Sequence, residues 1–273
     1  MGELTMSIWF SIRSSGIVIP SEDPSWNSTI PPAMKRKDPR IWQLAYIATQ
    51  RALSGSTLQC KSIISGTALG ALDETKNFLD GIYGEGFGSP RNFIASVHNS
   101  MAGKLALDFK IEGPNLTVCD GHNSMASALS IASLLEDHEF PALLLLIDES
   151  ISFFDTIGDH ISQECKPYIN KGWKDAAVAL VIDKKLDSSS PMIRGFGPVR
   201  SAESSPLVQC RTLAEGAIED FAQCEMLFAE STSSFIQPAI QLHNCYSSKG
   251  SKHLVVGSYS PVSKGTAVVE YLF

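Results

Sequence analysis

The six cysteines, at 60, 119, 165, 210, 224 and 245, are scattered, with no Cys-x-x-Cys pair and no regular interval. That absence excludes a metal knuckle or redox pair readable from spacing. It leaves a reduced, cytoplasmic chain as the expectation, with no metal and no cofactor required. Cationic charge is also scarce: 22 Lys and Arg stand against 29 Asp and Glu, a net charge of -7. Neither nucleic acid nor an anionic membrane is therefore an expected partner. Long apolar runs are missing. The patch Ile8 to Phe10 is soon followed by Arg13, so the N-terminal region is read as neither signal peptide nor membrane span. What the chain does have is apolar content, 44% with a mean hydropathy of +0.03 over 273 residues, enough to bury a sizeable core.

Residues 111 to 136 organise the rest. Gly113 and Pro114 punctuate the entry, Leu116, Val118 and Cys119 predict a short buried strand, and Asp120 to Asn123 carry turn and N-cap chemistry. From Met125 the apolar residues Leu129, Ile131, Ala132 and Leu135 recur at helical spacing, with Ala and Ser keeping the helix thin. Strand, elbow and helix of this kind display one side chain at a helix N-terminus, where unpaired N–H groups favour developing negative charge.

Around this unit strands and helices alternate, which predicts an α/β class. Residues 7 to 19 read as an edge strand, Arg40 to Leu53 as an amphipathic helix, and residues 62 to 70 as an apolar strand ending in a small-residue turn. A helix is expected over 72 to 82. The stretch Gly81 to Gly88 lacks the Lys-Ser/Thr of a phosphate loop and reads as a flexible connection. Ser89-Pro90 opens another helix. Residues 140 to 150 and 175 to 183 are continuous apolar strands suited to a sheet covered on both faces. Beyond a Ser/Pro linker at 187 to 191, Leu213 to Phe228 reads as a helix and 254 to 273 as a terminal hairpin.

Chemistry read from the residues alone centres on the elbow. Cys119 with His122 as its base is one arrangement a tight turn permits; the bland reading is a small hydrophobe in a buried strand. Ser124 does not stand two residues after one Gly and two before another, so a hydrolase elbow is disfavoured. Asp148 and Glu149 are adjacent, and if the strand continues that far they point to opposite faces and do not form an acid pair on one substrate. The basic run Lys35, Arg36, Lys37 and Arg40 is first a solvated helix entrance.

A family resemblance adds to this. The run from Asn99 through Gly103, Lys104 and Asp108 to Gly113-Pro114-Asn115 resembles the segment before the active-site cysteine of β-ketoacyl synthases. Ser96-Val97-His98-Asn99 and the Pro31-Pro32-Ala33-Met34 stretch are similar to a compact ketosynthase-like family. Aligned from Gly113-Pro114, the nucleophile position falls on His122. The family's two C-terminal histidine motifs have no counterpart around His138, His160, His243 or His253. The resemblance implies a thiolase-type α/β fold with a complete N-terminal half, residues 1–186, and a shortened C-terminal half, residues 187–273. It implies a catalytically incomplete, chain-length-factor-type subunit that pairs with a full-length β-ketoacyl-ACP synthase and an acyl carrier protein. An active condensing enzyme or acyltransferase using Cys119 and His122 is the alternative. Ser96, His98, Asn99, Ala102, Gly103 and Ala106 would then lie at the subunit interface, and the basic run Lys35, Arg36, Lys37 and Arg40 would meet the acidic carrier.

Overall fold

The computed structural model describes residues 7–55, 57–151, 153, 160, 174–186, 189–200, 205–229, 236–247, 253–260 and 263–272. Nine strands form one sheet: β1 (Phe10–Val18), β2 (Ser62–Thr67), β3 (Asn115–Cys119), β4 (Ala142–Asp148), β5 (Ala176–Asp183), β6 (Met192–Arg200), β7 (Glu225–Phe228), β8 (His253–Ser260) and β9 (Gly265–Leu272), in the order β3-β2-β4-β5-β1-β6-β9-β8-β7. From β1 outward the first half runs β5, β4, β2, β3. From β6 outward the second runs β9, β8, β7, with the same succession of antiparallel, antiparallel and parallel pairings. The second half thus repeats the first with its outermost strand missing among the described residues. The halves join through Phe10 opposite Ile193 and Ser11 opposite Met192.

The helices are α1 (Pro32–Lys37), α2 (Arg40–Leu53), α3 (Leu72–Glu85), α4 (Pro90–Ser96), α5 (Ser100–Phe109), α6 (Ser124–Ser133), α7 (Pro206–Ala217) and α8 (Gln237–Ser247). Helix α2 buries Ile41, Leu44, Ala45, Ile47, Ala48 and Ala52 at the helical spacing the sequence shows, and with α5 it covers one face of the first half. On the other face α6 and α8 share a core with Ile64, Leu144 and Leu180 of the first half and Leu254, Val256 and Val269 of the second. Helix α7 covers the outer face of the second half over Phe196, Val255 and Val268. Small residues let α6 pack closely against both halves of the sheet: Ala126, Ala128 and Ala132 are buried there.

Three expectations need correction. Strand β1 is interior, pairing with both β5 and β6, although the alternation over residues 7 to 19 suggested an edge. Two of its polar side chains find partners at the end of β5 and just beyond it: Ser11 donates to the Lys185 carbonyl at 2.8 Å and Arg13 pairs with Asp183 at 3.3 Å. The glycines after 81 are not a flexible connection, because α3 continues to Glu85 and ends at Gly86, whose φ of 70 is the left-handed cap that favours glycine. The helix expected over 213 to 228 begins earlier, where Ser205 accepts the Val208 N–H ahead of Pro206, and stops at Ala217. Met226 and Phe228 instead alternate inward from the short edge strand β7, packed against the α7 core.

Candidate functional site

Strands β2, β3 and β4 are parallel neighbours, so their carboxyl ends meet on one edge, the usual place for a site in such sheets. That edge gathers the loop 67–70, the elbow 120–123 and the pair Asp148–Glu149. The elbow is a 3-10 turn over Gly121–Asn123 leading directly into α6. Its geometry is closed by the chain's own bonds. The Ser124 hydroxyl donates to the Thr67 carbonyl at 2.8 Å and receives the Asp120 N–H at 3.0 Å. Ser127 donates to the Asp120 carboxylate at 2.8 Å. Ser124 is therefore a structural hydroxyl.

His122 is 2% exposed. Burial alone pushes its imidazole down to about 4, because the cation would lose its water, so it is neutral at neutral pH. The second half of the sheet seals the turn with hydroxyls and amides rather than imidazoles. Asn123 donates to the Gly265 carbonyl at 2.8 Å and accepts from Ser258 at 2.9 Å, and a side chain at Gly121 would strike the Ser260 hydroxyl. His253 lies at the opposite end of β8 from Ser260, bonded to Glu270 at 2.6 Å.

Cys119 departs from expectation. Strand β3 is the edge of the sheet, and Cys119 is exposed. Its thiol donates to the Ala68 carbonyl at 3.1 Å. Partial burial and then the negative charges of Asp148 and Asp120 push the thiol up from its usual range, the reverse of an activated nucleophile. Access without activation is what the geometry provides.

Strand β4 ends at Asp148, so strand alternation does not set the direction of Glu149, and the two acids have different surroundings. The wholly buried Asp148 carboxylate accepts from the Thr67 hydroxyl at 2.8 Å, the Ala68 N–H at 2.8 Å and the Leu69 N–H at 2.9 Å. Desolvation still raises it to about 6 against those bonds. It fixes the loop that in turn receives Cys119 and Ser124. The small residues ending β2 were visible in the sequence, but no local signal tied them to an acid some 80 positions away. Glu149 is also buried, at 4% exposure, and its carboxyl is pushed up to about 8 by desolvation first and then by Asp73, Asp175 and Glu74.

The other candidates are dispersed. Ala102 is wholly buried and Ala106 partly so in the chain's own core against α2, whereas Gly103 faces open space. The small-residue run is thus split between core and surface, because successive helical positions face different ways. His98 is exposed rather than buried, its ring against Gly70, whose φ is +59; Asn99 is exposed and precedes α5 without capping it. Ser96 donates to the Phe93 carbonyl at 2.7 Å. Lys35, Arg36 and Lys37 are exposed on α1. Arg40 leaves that patch, since its Nε donates to Asp175 at 2.9 Å and its guanidinium lies 5.2 Å from the Trp26 ring. What the sequence did not mark is the exposed apolar surface: Tyr83, Phe87, Phe93, Ile94 and Val97 on the α3–α4 hairpin and Leu107 on α5. Among the described residues no His, Cys, Asp and Glu group is arranged to hold a metal, and no helix is long and apolar enough to cross a membrane.

Residues 9–191 match the model of the beta-ketoacyl synthase N-terminal domain. The chain belongs to the beta-ketoacyl synthase family. Its fold is that of the thiolase-type condensing enzymes. A solved structure titled "The ishigamide ketosynthase/chain length factor" aligns at TM-score 0.75 and 14% identity, covering 96% of this chain and 98% of that one. One of a ketosynthase, ApeO, in complex with its chain length factor, ApeC, from Xenorhabdus doucetiae, aligns at TM-score 0.64 and 17% identity, covering 97% and 100%. One of AntDE with AntF, a type II PKS acyl-carrier protein in complex with its ketosynthase, aligns at 0.69 and 14%, covering 97% and 99%. No curated protein matches the chain in sequence.

Proposed function

We propose that this chain is a chain-length-factor-type subunit, catalytically incomplete by itself, that pairs with an active β-ketoacyl-ACP synthase in fatty-acid-like or polyene polyketide synthesis. The observation that carries this is His122: a buried neutral imidazole cannot hold an acyl chain as a stable thioester, and the hydroxyls of Ser258 and Ser260 stand around the elbow where paired histidines would be needed. Two features support the pairing. The β3 edge is open, with Leu116 and Cys119 exposed, and an unpaired edge is a template for a further strand. Beside it, Phe93, Ile94, Val97 and Leu107 expose apolar surface of the kind an obligate interface covers. Complexes of a ketosynthase with a chain length factor, and with an acyl-carrier protein, occur among the structures this fold resembles. The exposed Lys35, Arg36 and Lys37 are the surface we assign to an acidic carrier.

The test is reconstitution with a cognate ketosynthase and its carrier. We expect a heterodimer by size-exclusion chromatography and condensation that is lost when the partner's active-site cysteine is replaced and retained in His122→Ala. Both chains monomeric at micromolar concentration would sink the pairing. Elongation that survives loss of the partner's cysteine and stops with Cys119→Ala would make this chain the catalyst.

A further inference from the structure

The corner where α1 gives way to α2 faces α4 across a cavity of about 580 Å³. Asp38 and Pro39 make the corner: α1 stops at Lys37, Asp38 is extended with φ -96 and ψ 142, as a residue before proline tends to be, and α2 starts after Pro39. On the other side Pro90 opens α4, and Arg91, Ile94 and Ala95 stand three and four positions apart, which puts them on one helical face. The cavity walls are apolar, formed by Pro39, Trp42, Ile94 and Ala95, with Lys37, Asp38 and Arg91 as its charged groups. That volume and that mixture, an apolar wall with a few placed polar groups, are those of a small-molecule site.

The polar groups left over are all donors. The Asp38 carboxylate faces Lys104 of α5 at 3.8 Å, and the Asp38 carbonyl accepts from Gln43 at 2.9 Å. The Arg91 guanidinium donates to the Lys37 carbonyl, which ties α4 to the end of α1 and holds the cation at the rim. Among the described residues neither Arg91 nor Lys37 forms an ion pair; Glu74 feels the Arg91 charge only from outside ion-pair range. Trp42 adds a third donor, because its Nε1 is buried and has no hydrogen-bond partner among the described residues. A buried N–H without an acceptor is rare and costly, and a bound acceptor would relieve it.

We propose that this cavity is a binding site for a small organic carboxylate, its apolar body against Trp42, Ile94 and Pro39 and its anionic head at the Arg91 and Lys37 rim. A guanidinium fits a carboxylate with parallel hydrogen bonds, whereas the apolar walls give an inorganic anion nothing to rest on. None of these residues belongs to the elbow, and the site does not rest on the pairing proposed above. Lys37 and Ile94 do belong to the surfaces assigned there to the carrier and the ketosynthase. An acidic carrier is therefore the competing occupant.

The experiment titrates phenylbutyrate into the isolated full chain, with phenylbutyramide and phenylbutylammonium as the uncharged and cationic counterparts. The readout is the indole N–H resonance of Trp42 in a nitrogen–proton correlation spectrum, identified by its loss in Trp42→Phe. A carboxylate of about twelve non-hydrogen atoms should shift that resonance saturably, with a Kd of about 1 mM or below. The two counterparts should bind at least about tenfold more weakly, and Arg91→Gln should weaken the carboxylate by about tenfold. Lys37→Gln should cost less, since lysine is a mobile point charge. Both side chains are exposed, so neither change threatens the fold. No shift of the Trp42 resonance by about 10 mM, equal shifts from carboxylate and amide, or unchanged affinity in Arg91→Gln would each overturn the proposal. So would a Trp42 shift caused by a purified acyl carrier protein and not by phenylbutyrate, which would make the cavity a protein-docking groove. Heterodimer formation is read separately by size-exclusion chromatography, so failure here leaves the proposed pairing standing.

Discussion

His122 and Cys119 show why the identity of a residue does not state its chemistry. The imidazole at the elbow is held neutral by desolvation, with its proton affinity pushed down to about 4. Because the folded value lies below the ordinary one, its contribution to stability is present above about pH 6.5 and is lost as pH falls through 4. Urea denaturation of wild type against His122→Gln should therefore differ in pH dependence between 6.5 and 4, by at most roughly 3 kcal/mol. At Cys119 exposure and reactivity part company: the sulfur is reachable, but partial burial first and nearby carboxylates second oppose its ionisation. Alkylation by iodoacetamide at pH 7 should be slower than that of a free thiol and should accelerate only well above pH 8.5. Fast, selective labelling at neutral pH would count against the neutral-elbow reading.

Elements at the carboxyl edge depend on Asp148, which three donors of the 67–70 loop require. Replacing it by alanine leaves a hydroxyl and two amides buried without an acceptor, a cost of about 3 kcal/mol or more. Asp148→Asn keeps one acceptor oxygen and should cost less; chemical denaturation distinguishes them. If both cost under about 0.5 kcal/mol, the loop is held by something else. The parallel strand and its helix were legible in sequence because Met125, Leu129 and Ala132 repeat at helical spacing. Partners far apart along the chain were not, since no local pattern records that residue 67 meets residue 148.

For the whole molecule, the exposed apolar hairpin and the open β3 edge lie on the same half of the fold. Ile94→Asp or Leu107→Glu should leave the stability of the isolated chain within about 0.5 kcal/mol, because both side chains are largely exposed. In co-expression with a ketosynthase, the same changes should abolish or strongly weaken association, read by size-exclusion chromatography. An unchanged heterodimer would place the interface elsewhere.

Continuous apolar runs by themselves determined β4 and β5, and helical spacing determined α2 and α6, because burial on two faces or on one stripe leaves a direct pattern in composition. The motifs around Gly113-Pro114 likewise pointed to the beta-ketoacyl synthase family, to which residues 9–191 belong. Tertiary structure alone decided that β1 is interior, that Cys119 is exposed, that Ala102 and Gly103 face opposite surroundings, and that Arg40 pairs with Asp175 rather than joining the basic patch. The physical reason is common to these cases. Exposure and proton affinity are set by which distant segments cover a group, and coverage is a property of sheet order and layer packing that one-dimensional periodicity does not encode.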